Sequence, residues 1–197
     1  GDIQGKIMTE VQPMKMAAAE ALWESEQPAG FSLFTIGTLD GTQEVFSIKV
    51  PGVLSFLATG DFNGKVEGIN DIVKRMESEA FTNSELQLQR EAADRLAQIG
   101  VTDWVPNVPV AYWTFRFMMG LGFLAMAIGA WVLWVTRKGA VPRPGRLWTS
   151  LMVAAPLSPL FAISFGWIFT EMGRQPFLVF GVLPTMAAAS PGVSAFE

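Results

Sequence analysis

Residues 117–135 read FMMGLGFLAMAIGAWVLWV, nineteen positions without a charge. Residues 147–170 read LWTSLMVAAPLSPLFAISFGWIFT, twenty-four more. At about 1.5 Å per residue, a helix of either length crosses the ~30 Å hydrocarbon layer of a bilayer. A core helix of a soluble protein keeps a polar face, and these runs keep none. The chain has 197 residues, too few to wrap two such helices in protein. Both stretches are therefore expected to span a membrane. Pro109 suits a first helical turn. Trp113 at one end, with Trp131 and Trp134 at the other, falls where interfacial aromatics belong. Pro156 and Pro159 each remove a backbone donor and are expected to kink the second helix.

Between the runs lies RKGAVPRPGR, residues 137–146, with four basic residues and no acid. Such a loop belongs on the cytoplasmic side, which puts both flanking segments outside. The charge is split to match. Residues 1–109 carry 8 basic and 16 acidic side chains, and residues 110–197 carry 6 and 2. Five segments follow: an outer-face domain over 1–108, a transmembrane helix over 109–136, a basic cytoplasmic loop over 137–147, a second transmembrane helix over 148–171, and an outer-face loop or re-entrant segment over 172–197. The expected fold class is mainly α. It is a membrane helical bundle fragment with two transmembrane helices and an α-rich extramembrane domain containing short strands.

Within that domain, residues 11–25 (VQPMKMAAAEALWES) carry a helix pattern anchored by Trp23. Residues 31–36 and 45–50 alternate like short strands, with a Gly-containing turn between them. Residues 66–79 and 84–98 look helical, the second with Ser84 as cap. The opening GDIQGK is not a secretory signal. The stretch 177–193 is apolar but broken by Pro184 and Pro191, as an interfacial or returning loop would be.

Composition excludes several chemistries for the chain acting alone. It has no Cys and no His. That removes a disulfide scaffold, a thiolate metal site, the commonest metal ligand and the commonest general base. A net charge of −4 without a basic run gives no reason to expect nucleic acid.

Ionisable groups near a bilayer are costly, so they are the first candidates for chemistry. Arg116 lies at the outer start of the first helix, and Glu171 and Arg174 at the outer end of the second. The arginines either snorkel to the interface or belong to a polar site. Glu171 is either an exposed helix end or part of that site. Met118 is either packing or a soft thioether ligand suited to haem iron. Lys15 and Glu20 sit five residues apart, about 140° around a helix, so they do not pair directly. They are either solvated charges or a proton acceptor and an anchor for a hydroxylated ligand.

In order along the chain, KMAAAEALWE at 15–24, FSLFTIG at 31–37, IKVPGVLSFLATG at 48–60, PVAYWTFRFMMGLGF at 109–123, GWIFTEMGRQPF at 166–177 and VLPT at 182–185 resemble subunit I of the cytochrome bd quinol oxidases. The resemblance implies a terminal respiratory oxidase of the bacterial inner membrane. Such an enzyme oxidises ubiquinol or menaquinol, reduces oxygen to water and generates a proton motive force. It implies a low-spin haem b, a high-spin haem b and haem d. It also implies a subunit II and a small single-helix subunit as companions. By position, Lys15 and Glu20 match the residues of the quinol-binding loop. Met118 matches the axial ligand of the low-spin haem, and Arg116 its neighbour. Glu171 matches the carboxylate at the high-spin site, with Trp167 and Arg174 beside it. Phe177 stands where many relatives have Trp, and residues 81–104 match poorly, as in a form without a long loop insertion.

That family's subunit has more helices, and its ligating histidines lie on helices absent here. The chain therefore reads as a fragment, expected to be inactive alone. A non-catalytic membrane receptor or scaffold, or a piece of a transporter, would share the apolar helices without haem.

Overall fold

A computed structural model describes residues 2–38, 43–82, 104–140, 145–180 and 183–185. The chain forms two compact units. One is Gly1–Tyr112 with Glu171–Glu197, and the other is Trp113–Thr170.

The first unit opens with two helices, α1 (Asp2–Val11) and α2 (Pro13–Glu20). A single helix over 11–25 is thus corrected at both ends. Gln12 leaves the helical region (φ −136°, ψ 62°) and Pro13 restarts the helix at its first turn, where a missing N–H costs nothing. Ala21 then turns left-handed at φ 49°. The Leu22 N–H closes onto the Ala17 carbonyl at 2.9 Å, which satisfies an end group and stops the helix. Trp23, 9% exposed, still anchors the segment, but from outside the helix.

β1 (Phe31–Gly37) and β2 (Glu44–Val50) pair antiparallel, from Phe31 opposite Val50 to Gly37 opposite Glu44. The expected strands are both present; the tip of their turn, 39–42, lies outside the described residues. α3 (Val53–Thr59) was not anticipated. Its sequence, VLSFLAT, is a short apolar run whose period does not separate strand from helix. The left-handed glycines Gly52 (φ 72°) and Gly60 (φ 84°) delimit it. α4 (Ile69–Thr82) starts three residues after the expected position, because Val66 is occupied in an antiparallel bridge with Glu26. The helix expected over 84–98 falls outside the described residues.

Met16, Leu22, Ala29, Leu54, Ala58 and Val66 form the core of this unit, with Met8 and Phe31 packed against it. α1 meets α3 so closely that a Cβ on Gly5 would lie 2.5 Å from the Leu57 carbonyl oxygen. Only Gly allows that approach.

The second unit is a helical hairpin. α5 (Val108–Thr136) and α6 (Arg146–Met172) are joined through a short 3-10 turn at Arg137–Gly139. Phe115 meets Phe169 at 4.9 Å between ring centroids, Phe117 meets Phe165 at 5.1 Å, and Trp131 meets Trp148 at 5.7 Å. The helices therefore run antiparallel. At 29 and 27 residues, both are long enough to cross a membrane. Their outer faces stay apolar and exposed, as at Phe123, Met126, Leu133 and Ile163. α6 continues through Pro156 and Pro159. The Ser158 hydroxyl lies 3.5 Å from the Ala155 carbonyl, the group that Pro159 has no N–H to serve.

Beyond α6, the short strands β3 (Phe177–Val179) and β4 (Leu183–Pro184) pair antiparallel. They give the start of the apolar stretch 177–193 a definite form; residues 186–197 lie outside the described residues.

Candidate functional site

α2 carries the first two candidates, and the structure buries both. Lys15 is 9% exposed and Glu20 2%. Solvated charge is therefore the wrong reading for this pair. From Met14 to Glu20 every residue of α2 is buried, with Ala17, Ala18 and Ala19 at 0%. The small side chains let neighbouring elements close over a helix that has no water-facing side. An ionisable group pays a desolvation penalty in such a place, so it persists where it has partners or a task. One Glu20 carboxylate oxygen accepts the Ser32 backbone N–H at 3.2 Å.

The same unit brings Lys15 to Glu171 and Arg174. Burial depresses the Lys15 ammonium below its ordinary value, the Arg174 guanidinium adds to the depression, and the Glu171 carboxylate opposes it. Arg174 donates to Glu171 across one turn, in an ion pair, and Gln175 Nε2 donates to the Glu171 carbonyl at 3.3 Å. The Gly-Arg-Gln-Pro turn is closed by the Phe177 N–H onto the Arg174 carbonyl at 2.9 Å. The Thr185 N–H ties β4 to the Pro176 carbonyl at 2.9 Å. Lys15 and Arg174 line one small cavity of about 10 Å³ with Gln12, Trp104, Phe177 and Phe180. That is room for a single water. The buried Arg174 Nε meets no hydrogen-bond acceptor among the described residues.

The second unit holds Arg116, Met118 and Trp167. The Met118 sulfur packs against Gly166 of the neighbouring helix, where an added Cβ would lie 2.9 Å from it. The Arg116 guanidinium lies 5.2 Å from the centroid of the Phe115 ring. Trp167 is 67% exposed on the hairpin surface.

Two groups of residues escaped the sequence reading. Ser32, Thr35 and Tyr112 form a buried hydroxyl cluster beside Glu20. Its only sequence signal is two hydroxyls on an otherwise apolar strand and a lone tyrosine at a helix start. A wider cavity of about 460 Å³ is lined by Trp23, Glu24, Glu26, Glu44, Lys49 and Asn70 among others. There Lys49 bridges Glu26 at 2.8 Å and Glu44 at 3.1 Å. Burial works against the Lys49 ammonium, but its bonds to the two carboxylates prevail and hold its pKa above the ordinary value. None of the sequence candidates lines this second cavity.

Two long apolar helices and a polar unit with buried ionisable groups define an integral membrane protein with an extramembrane domain. The family described as cytochrome bd terminal oxidase subunit I matches residues 1–197. The chain belongs to that family. It is 36% identical over 198 residues to the cytochrome bd ubiquinol oxidase subunit 1 of Bacillus subtilis, covering 99% of this chain and 38% of that protein. It is 28% identical to the cytochrome bd-II ubiquinol oxidase subunit 1 of Escherichia coli, covering 96% and 44%. Among solved structures it is similar to the bd oxidase of Geobacillus thermodenitrificans, with a TM-score of 0.65 at 26% identity, over 100% of this chain and 38% of that one. The chain thus spans about two-fifths of the length of these relatives. The family is one of bacterial membrane oxidoreductases.

Proposed function

We propose that this chain is the quinol-oxidising segment of a terminal oxidase that passes electrons from ubiquinol or menaquinol to oxygen. The observation that supports it best is the burial of Lys15 and Glu20 on one short helix, with Lys15 set beside the Glu171–Arg174 pair. In this reading Glu20 accepts a proton from a quinol hydroxyl, and Lys15 donates a hydrogen bond to the ring oxygen and orients the head group. Each quinol leaves as quinone after giving up two electrons and two protons. Two quinols suffice to reduce one oxygen molecule to water. Release of the quinol protons outside, with uptake inside for water, separates charge across the membrane.

The family implies haem, and this chain's donors fit part of its ligation. The thioether of Met118 suits a low-spin haem b iron, and Gly166 leaves the space its sulfur occupies. The carboxylate of Glu171 suits a high-spin haem, b or d. The buried Arg174 Nε is a donor that a propionate oxygen would satisfy. Arg116 would supply a cation beside the low-spin haem, and Trp167 follows Gly166 in sequence. Haem, when bound, supplies one-electron transfer and the oxygen chemistry. The imidazole ligands would come from other segments of the subunit, since this sequence has no His.

The four basic residues of the 137–147 loop support a cytoplasmic position for it, with residues 1–108 on the periplasmic side. A subunit II and a small single-helix subunit complete the proposed assembly. The deciding experiment is Glu20→Gln in the intact oxidase. Quinol oxidation is expected to fall by about 100-fold or more with the haem spectrum retained. Unchanged turnover would remove Glu20 from the mechanism.

A further inference from the structure

The Glu20 carboxylate is held by more than its own helix. The Ser32 backbone N–H donates to one of its oxygens at 3.2 Å. Ser32 Oγ in turn shares hydrogen bonds with Thr35 Oγ1 at 2.6 Å and with Tyr112 OH at 2.8 Å. Ser32 is 0% exposed, and Thr35, Tyr112 and Glu20 are each 2% exposed. One carboxylate and three hydroxyls are thus shut away from water together. Ser32 and Thr35 belong to β1, while Tyr112 belongs to the first turns of α5.

Tyr112 is the only tyrosine of the sequence, which has 15 phenylalanines. Phenylalanine would fill the same volume, so packing does not ask for the hydroxyl. Burying that hydroxyl costs free energy unless it is bonded. The Tyr112 hydroxyl shares a hydrogen bond with Ser32, the residue whose N–H donates to Glu20. A general base works only where it is held within hydrogen-bond reach, about 2.6–3.2 Å between heavy atoms, of the group whose proton it takes, and a misplacement of about 1 Å is costly.

We propose that Tyr112 is a positioning residue for Glu20, acting through Ser32. The proposal rests on the role given to Glu20 above. Thr35 steadies the same node from within the strand. The start of α5 thereby sets the reach of a carboxylate on α2, without touching the quinol.

The test uses the intact oxidase with the complete subunit. Tyr112→Phe removes one oxygen atom and keeps the ring. It is expected to lower kcat for quinol oxidation about three- to tenfold, the effect of one hydrogen bond. The quinol KM and the haem spectrum should stay unchanged. In a Glu20→Gln background the same substitution should cost nothing further, because no base is left to position. Ser32→Ala is the second variant and should behave alike. A full kcat in both variants, with Glu20→Gln impaired, overturns the positioning role alone. An equal loss in the Glu20→Gln background also overturns it, by showing a merely structural effect. A Glu20→Gln enzyme that oxidises quinol at the full rate overturns the underlying reading, and the positioning role with it.

Discussion

Lys15 shows what a single buried charge does to this domain. Its pKa is depressed by burial and by Arg174. The folded state therefore holds this proton less tightly than the unfolded chain does. The ammonium costs stability while it stays charged, and the cost eases as pH rises through its folded pKa toward the ordinary lysine range. Lys15→Met should raise the melting temperature by about 2 °C or more while quinol turnover falls; calorimetry and an oxidation assay on the same preparation check both. Gly166 gives a second expectation. A methyl group there would meet the Met118 sulfur. Gly166→Ala is expected to shift or weaken the low-spin haem band in a reduced-minus-oxidised spectrum, with quinol KM unaltered. An unchanged band would count against Met118 as the ligand. The sequence made Lys15, Arg174 and Met118 candidates by type. It did not reveal that Lys15 and Arg174 share a cavity, because no local pattern records a contact between chain segments so far apart.

At the level of elements, the strongly periodic and strongly apolar segments were legible, and the boundaries set by single backbone angles were not. The two long helices follow from uncharged length alone, and the hairpin from its alternation. α2 was misjudged because its Ala-rich pattern runs on to Ser25, while Pro13 and the left-handed Ala21 confine the helix to eight residues. The solvated-charge reading of Lys15 and Glu20 failed for a related reason. A helix buried on all sides has no polar face for its charges to mark. The β1–β2 hairpin carries its own expectation. Lys49 has a raised pKa through Glu26 and Glu44. Its contribution is fully present below the unfolded lysine value near ~10.4 and is lost as pH rises through the folded value. The melting-temperature advantage of the native chain over Lys49→Met should hold up to about pH 10 and shrink beyond it. Thermal melts across pH measure this directly.

At the scale of the whole molecule, these 197 residues hold no cysteine, so one introduced among them reports its own side of the membrane. Phe62 is 58% exposed in the first unit, and Lys138 lies in the turn between the long helices. A membrane-impermeant maleimide should label Phe62→Cys in intact spheroplasts, and Lys138→Cys only after permeabilisation. The opposite pattern would invert the proposed topology.

Residues 12–15 and 173–180 come from opposite ends of the chain and build the walls of one cavity, with Trp104 between them in sequence. Exchanging the segment around Lys15 is therefore not a local change. The ionisation of Lys15 is set by its burial and then by Arg174 and Glu171, far from it along the chain. Chimeras that move that segment alone inherit a mismatched half of the cavity. Those that carry both segments keep it whole.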